Sequence, residues 1–234
     1  ACPATKNPIA LGTGNKFLVE MDAVEYTGDA SLLVRTYNSD GAPAAGPFGM
    51  GWSTAGSRRI VAYRYDDENL ADVYRGDGRI LEYRQANGTY ATSPDLADRL
   101  HREVDANGAT TGWRYVSAGG DQTERYTADG RLLAIASRAG LSQTISYDSA
   151  SGRLSGITDA FGRTLGFSYT GERITGMTDP GGGSYAYAYD ANNNLASVTY
   201  PDGSVKQYHY EDPAYPNALT GITDELGVRY ATYR

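Results

Sequence analysis

Few residues in this chain of 234 could do chemistry, and their spacing argues against most of what they could do. His101 and His209 are the only histidines and Cys2 the only cysteine. No zinc-ligand set can be assembled from three such scattered groups. No Gly-x-Ser-x-Gly elbow is present, and two isolated histidines leave a Ser-His-Asp triad without support. Asp190-Ala-Asn192-Asn-Asn194 imitates the opening of a calcium loop. The sixth position, which needs Gly, is Leu195, and the twelfth is Pro201, which carries no carboxylate. Gly12-x-Gly14 runs on into Asn-Lys-Phe and completes neither a dinucleotide nor a phosphate-loop fingerprint. Asp66, Asp67 and Glu68 stand together where a turn is expected, so solvated charge is their ordinary explanation. A glycosidase would need two carboxylates about 5–9 Å apart, which no sequence shows. The expectation is a chain with no catalytic residue, no metal site and no cofactor.

What remains is a repeat, and it dictates the architecture. Tyr126, Tyr147, Tyr169, Tyr189, Tyr210 and Tyr233 are separated by 21, 22, 20, 21 and 23 residues. Gly140, Gly162, Gly182, Gly203 and Gly227 follow in the same register, 22, 20, 21 and 24 apart. Each repeat carries two turns. One opens on Tyr, as in Tyr147-Asp148-x-x-x-Gly152-Arg153-Leu154, Tyr189-Asp190 and, one residue shorter, Tyr126-x-x-x-Gly130-Arg131. The other is four residues ending in Gly: Asp159 to Gly162, Asp179 to Gly182, Tyr200 to Gly203, Asp224 to Gly227. Asp at the first turn position accepts backbone N–H bonds, and Gly at the last accepts positive φ. Between turns lie short stretches rich in Tyr, Thr, Val, Ile and Leu, with strand length and strand chemistry.

Leu154/Ile157, Ile174/Met177, Leu195/Val198 and Leu219/Ile222 are three apart, a spacing that suits a helix. Such short segments cannot sustain one. As strands they require either two covered faces or a bulge between the pair.

Twenty Tyr against four Phe suits strand surfaces that are apolar along the ring and wet at the tip. A net charge of −7 and a pI of about 4.9 argue against a nucleic-acid partner. No stretch has the ~20 apolar residues of a membrane-spanning helix.

Before the repeats, Phe17–Met21 and Leu32–Tyr37 read as strands. Phe48-Gly49-Met50-Gly51-Trp52 reads as a loop whose glycines let two aromatics pack closely. Asn87-Gly88 signals a two-residue hairpin, and Asn107-Gly108 another. Ser93 to Leu100 is read as able to begin one helical turn. Three segments are expected: a non-repeat β segment at 1–64, degenerate repeats at 65–125, and regular repeats at 126–234. The fold class is all-β, built of antiparallel β-hairpin repeats.

Together these residues resemble the Rhs/YD-repeat family. The resemblance rests on Tyr126, Gly130, Tyr147, Asp148, Gly152, Arg153, Asp159, Gly162, Arg163, Tyr169, Asp179, Gly182, Tyr189, Asp190, Gly203, Tyr210, Asp224 and Gly227. Its amino-terminal part rests on Asn7-Pro8, Gly14, Asn15, Lys16, Arg35, Tyr37, Asn38, Phe48, Gly51 and Trp52. Two departures stand out: Tyr169-Thr-Gly-Glu-Arg lacks the Asp and is shortened, and Asn194 replaces Gly. The resemblance implies that residues 126–234 are YD repeats and that the hairpins form a curved strip or partial shell, a wall of antiparallel strands opening a longer hollow structure that encloses a carboxy-terminal toxin. It implies secretion or display at a bacterial cell surface, with the remaining repeats and the toxin as partners. The family's self-cleavage motif is not matched at Asp212-Pro213, so autoproteolysis is not expected. The alternative is a carbohydrate- or surface-binding module that stacks glycans on Tyr-rich strands. Self-association through strand edges is a further expectation.

Overall fold

The computed structural model describes residues 15–23, 33–40 and 46–233. Asn7-Pro8, Gly14 and Cys2 lie outside the described residues. The amino-terminal segment forms a three-stranded sheet of β1 (Phe17–Ala23), β2 (Leu33–Asn38) and β3 (Trp52–Thr54), in that order. Ten hairpin strands follow: β4 (Arg59–Tyr65), β5 (Glu68–Tyr74), β6 (Ile80–Ala86), β7 (Thr89–Ala91), β8 (Arg99–Val104), β9 (Thr110–Val116), β10 (Gln122–Thr127), β11 (Leu132–Ser137), β12 (Ser142–Tyr147) and β13 (Leu154–Thr158). The last seven are β14 (Thr164–Thr170), β15 (Arg173–Thr178), β16 (Ser184–Tyr189), β17 (Leu195–Thr199), β18 (Val205–His209), β19 (Gly221–Thr223) and β20 (Arg229–Thr232). The fold is all-β and antiparallel, as the turn chemistry predicts.

Two compact units divide the chain. The discontinuous unit joins residues up to Ala55 with those from Leu165 onward, and the continuous unit is Gly56–Thr164. In the continuous unit each strand pairs with its sequence neighbour, from β4 through β13. In the discontinuous unit β14 through β20 pair in the same consecutive way.

The three-residue spacing resolves as a bulge in three of the four pairs; in the fourth, Leu219 precedes β19 and does not share a strand with Ile222. Ser146 faces Gly156 and Tyr147 faces Leu154, so Ser155 is the extra residue. Thr175 is extra opposite Ser168/Tyr169, and Ala196 opposite Ala188/Tyr189. An extra residue re-phases the strand. Leu154 and Ile157 therefore both reach the core, as do Ile174 with Met177 and Leu195 with Val198. Full burial of such a side chain stabilises by about 1.5–3 kcal/mol. The bulge falls opposite the repeat tyrosine each time, which is why the sequence period carries both features in register.

Two local expectations need correction. Ser93–Leu100 holds no helical turn. Leu96 N–H bonds to Ser93 O at 3.0 Å in a single β-turn, and the chain then extends into β8. Pro94 presets the second position of that turn. At the fourth tyrosine turn, Asn193 and not Asn194 takes the glycine place: its φ is 63°, and its N–H bonds to Asp190 O at 3.1 Å. Asn tolerates the left-handed region better than other side chains do. Many tyrosines are also more deeply placed than a wet tip implies. Tyr37, Tyr83, Tyr115, Tyr126, Tyr187 and Tyr208 are all buried.

Candidate functional site: the seat of the amino-terminal segment

The repeat turns build the frame. In Asp159-Ala-Phe-Gly162-Arg163, Asp159 Oδ1 accepts the N–H groups of Phe161 at 2.8 Å and Arg163 at 2.9 Å. Gly162 N–H closes on Asp159 O at 3.1 Å with φ of 80°, a region that favours glycine. The Arg163 guanidinium reaches Asp159 Oδ2 at 2.6 Å. Burial raises the Asp159 pKa, and these N–H donors with Arg163 more than offset it, holding the carboxylate below its usual range. Asp179, Asp190 and Asp224 accept the same two backbone donors. Gly182, Gly203 and Gly227 hold the position of Gly162 with φ of 85°, 83° and 77°. At the longer turn, Asp148 accepts from Ser151 N–H at 2.7 Å, Gly152 bonds Asp148 O, and Arg153 closes on Asp148 N–H through its carbonyl.

The repeat tyrosines tie hairpins together. Tyr147 donates its hydroxyl to Leu132 O at 2.9 Å, and Tyr189 to Ile174 O at 2.6 Å. Leu132 and Ile174 are the residues opposite Tyr126 and Tyr169. Each of these two phenols therefore caps a carbonyl of the hairpin before it. Tyr126 donates to Glu124, and Tyr210 accepts from Trp52 Nε1 at 3.1 Å. Burial raises the pKa of Tyr147, Tyr189 and Tyr210, which keeps all three phenols neutral: Tyr147 and Tyr189 as donors, Tyr210 as the acceptor of the Trp52 indole N–H.

The amino-terminal motif sits on β14–β20 and the turns between them. Arg35 is wholly buried. Its Nε and Nη2 grip Asp22 at 2.5 and 2.8 Å, and Nη2 also donates to Tyr208 at 3.2 Å. Tyr187 donates to Asp22 Oδ2 at 2.9 Å. The guanidinium carbon lies 4.7 Å from the Trp52 ring centroid, 5.6 Å from Tyr187, 5.8 Å from Tyr208 and 5.9 Å from Phe48. Burial alone would lower the pKa of Arg35; Tyr208 and Asp22 more than offset it, raising it well above the ordinary value. Phe48 meets Tyr187 edge-on at 5.0 Å, and Trp52 meets Tyr208 at 5.0 Å. Tyr37 donates to Asn217 O and accepts from Leu219 N–H, both at 2.9 Å. Asn15 bonds Asn38 at 2.9 Å, joining the start of β1 to the end of β2. Lys16 is buried 3.7 Å above the Tyr233 ring, and burial lowers its pKa to about 8. Gly51 is required where it stands: φ is 74°, and a Cβ would lie 2.7 Å from the Tyr37 ring.

Sequence reading missed the acids of this seat. Glu20 and Asp22 alternate with Val19 and Met21, a pattern that normally puts acids toward water. Here Glu20 and Asp22 are buried, while Val19 is 54% and Met21 61% exposed. The inversion follows from the partners: Arg35 holds Asp22, and Lys206 Nζ holds Glu20 at 2.8 Å. No local pattern signals it, because Lys206 stands far along the chain.

The continuous unit has a second buried charge cluster, also missed. Glu124 is fully buried in a bidentate pair with Arg75 at 2.6 and 2.8 Å, and accepts from Arg58 at 2.7 Å and from Tyr126. The Arg75 guanidinium lies 3.9 Å over the Tyr115 ring. Nearby, Ile60 N–H bonds Gly130 O at 2.9 Å, joining the start of β4 to the turn after β10.

Arg35 Nε and Nη2, Tyr37, Trp52 and Tyr187 all donate within the protein, whereas Arg35 Nη1 and Lys16 Nζ are buried without a hydrogen-bond acceptor and meet aromatic rings instead. Among the described residues no three His, Cys, Asp or Glu group to hold a metal. The Asp190 carboxylate is occupied by two backbone N–H groups and the Asn194 amide. Among the described residues no helix is long and apolar enough to cross a membrane. The arrangement holds strands in place.

Residues 126–164, 147–184, 169–205 and 189–229 each match the family described as RHS Repeat. This is an Rhs/YD-repeat protein. Residues 6–83 match a domain of unknown function, DUF6531, so the amino-terminal motif and the RHS repeats fall under separate family models. No curated protein shows significant similarity to the chain. Among solved structures, a Photorhabdus luminescens Tc holotoxin pore with a TccC3 mutation is similar over 91% of this chain and 14% of its own, at 12% identity and a TM-score of 0.32. A TcdB2–TccC3–Cdc42 structure is similar over 97% of this chain and 15% of its own, at 12% identity and a TM-score of 0.33. The Rhs/YD-repeat chain thus spans 14–15% of the length of those chains. TM-scores this low fix neither fold nor role.

Proposed function

We propose that this Rhs/YD-repeat chain is a non-catalytic wall segment of a shell that encloses a carboxy-terminal toxin in its parent protein, secreted or displayed at a cell surface. The segments 1–64, 65–125 and 126–234 are its amino-terminal piece, its degenerate repeats and its YD repeats. One observation carries the reading: side chains that elsewhere serve binding or catalysis are consumed in holding hairpins side by side. Repeat tyrosines cap carbonyls of neighbouring hairpins, and turn aspartates are saturated by backbone N–H groups. A polar group so occupied is unavailable to a substrate, and losing its partner is costly. The glycan alternative fits less well, because Tyr126, Tyr187 and Tyr208 are buried against protein rather than offered to a sugar face. The partners are the remaining repeats and the enclosed toxin. Strand-edge self-association of the isolated segment is a further expectation, measured by light scattering across a concentration series.

The test is proteolysis of the intact parent protein. The toxin should resist protease in the native protein and become cleavable when this wall is opened by Glu124→Ala. A toxin cut in the native parent as fast as an unenclosed polypeptide would refute the proposal.

A further inference from the structure

The tyrosine turns of the chain fall into two kinds. Those at Tyr126 and Tyr147 end in Gly-Arg-Leu, at 130–132 and 152–154. The next three do not. The third is shortened to Gly171-Glu172 between Thr170 and Arg173. The fourth has Asn193-Asn194 in place of Gly-Arg. The fifth is enlarged from Glu211 to Ala218. The four-residue glycine turns of the same stretch, at Gly182, Gly203 and Gly227, stay regular.

All three irregular turns touch the amino-terminal segment. At the third, Arg173 Nη1 donates to Gly46 O at 3.2 Å and Ile174 N–H to Pro47 O at 2.9 Å. At the fourth, Asn193 O accepts Met50 N–H at 3.1 Å. At the fifth, Asn217 O accepts the Tyr37 hydroxyl. Random decay of a repeat would scatter irregularities over both kinds of turn. Here they fall on one kind and under one ligand.

We propose that these three turns are an address: they select the Gly-Pro-Phe-Gly-Met-Gly-Trp loop of residues 46–52 and fix where the amino-terminal segment docks. The selection has a physical basis in the fourth turn. Asn194 is fully buried, and its amide donates to Asp190 Oδ2 and to Pro216 O, both at 2.8 Å. That welds the fourth turn to the fifth. An arginine, which the regular turn carries here, is far longer and would drive a buried charge against the Pro216 carbonyl. The loop is fitted in return. Gly49 has φ of 91°, and a Cβ there would lie 2.5 Å from Asn193 O. Only a loop with glycine at that point can bring its backbone onto the turn.

The experiment uses the full chain and three variants, read by amide hydrogen exchange and, with Trp113→Phe in parent and variants alike, by Trp52 fluorescence. Asn194→Arg restores the arginine of the regular turn, Gly49→Ala attacks the same contact from the loop, and Ser204→Arg places the same charge at the equivalent position of a glycine turn. The first two should each speed exchange at Met50 at least tenfold and red-shift Trp52 emission, while Tyr187 and Val198 amides stay protected. Ser204→Arg should leave Met50 and Trp52 unchanged. Unchanged Met50 exchange in the first two variants would overturn the proposal. So would parallel loss at Tyr187 and Val198, which would make the turns general supports of the sheet, or equal release by Ser204→Arg. Should Asn194→Arg fail to fold, Gly49→Ala decides by the same criteria.

Discussion

Each unit holds a buried charge cluster knitted by several partners, and the two are centred on groups of opposite sign. The discontinuous unit buries a cation: Arg35, with a single carboxylate, two phenols and an aromatic surround. The continuous unit buries an anion: Glu124, with two guanidiniums and one phenol. A ring face is a diffuse, permanent partner for a cation and a poor one for a carboxylate. Arg35 can therefore be seated by aromatics with one acid, whereas Glu124 needs discrete donors and recruits two arginines. Both clusters stand where the chain makes its distant contacts. Arg35 reaches Tyr208, and Glu124 reaches Arg58 and Arg75, which flank β4 and β5. Hairpins are specified locally by turns and tyrosines; distant strands are specified by buried charge. Buried ion pairs serve registry better than stability, and that is the role the comparison assigns to both.

The largest expected effect breaks the comparison on the anionic side. Glu124→Gln strands the buried Arg75 guanidinium and the partly buried Arg58 and should cost about 3–5 kcal/mol, read from urea midpoints at fixed m-value. Adding Arg75→Met should leave most of that loss, because Arg58 remains unpaired. The paired change Asp22→Asn with Arg35→Met should instead fall within about 1 kcal/mol of the parent, since an aromatic box accepts an apolar chain and no charge is stranded. Near-equal losses for the two double variants would erase the distinction.

Acid should act on the continuous unit through Glu124. Burial pushes the Glu124 pKa up, but Arg75, Arg58 and Tyr126 more than offset it, leaving it below 4.5. The folded state then binds its proton less readily than the unfolded chain. Its contribution is full above the unfolded value near 4.5 and is lost as pH falls through the lower folded value. Stability of the parent should drop over that acid range, and Glu124→Gln should flatten the drop; an unchanged acid limb in the variant would contradict the assignment.

A smaller effect is expected at Gly130. A Cβ there would lie 1.9 Å from Ile60 O at φ of 84°, so Gly130→Ala must push β4 away from the turn. A loss of about 1–3 kcal/mol follows from such overpacking, checked by thermal melts beside Gly140→Ala, where no atom lies within 4 Å of the added Cβ. The smallest effect belongs to a local tie: Tyr147→Phe should cost about 1 kcal/mol, the net worth of one hydrogen bond, and Tyr189→Phe more, because that hydroxyl also lies 3.3 Å from Pro47 O.

What was legible in the sequence follows the same division. The Tyr and Gly ladders, the Asp-first turns and the Asn87-Gly88 hairpin are local chemistry, and the strands lie where those signals put them. The bulges were half legible: a three-residue spacing inside strands demanded either a bulge or a second covered face, and pairing decides for the bulge. The inward Glu20 and Asp22 were not legible, because alternation shows that two faces differ but not which is buried. That choice depends on Lys206 and on Arg35 with its repeat-borne partners Tyr187 and Tyr208. Glu124 was hidden likewise, an ordinary strand glutamate until Arg58 and Arg75 are brought to it. The Asn193/Asn194 exchange of roles turned on one residue of turn register, which only the hydrogen bonds from Asp190 and Asn193 define.

The division between local ties and distant charge is tested most directly by native-state amide exchange in Glu124→Gln. The Ile60 N–H closes onto Gly130 O and depends on the distant contact, whereas Ile135 and Ile145 lie in the β11 and β12 strands of a local hairpin. The variant should lose protection at Ile60 by more than tenfold through an opening that leaves Ile135 and Ile145 protected. Equal loss at all three amides, or unchanged protection at Ile60, would contradict it.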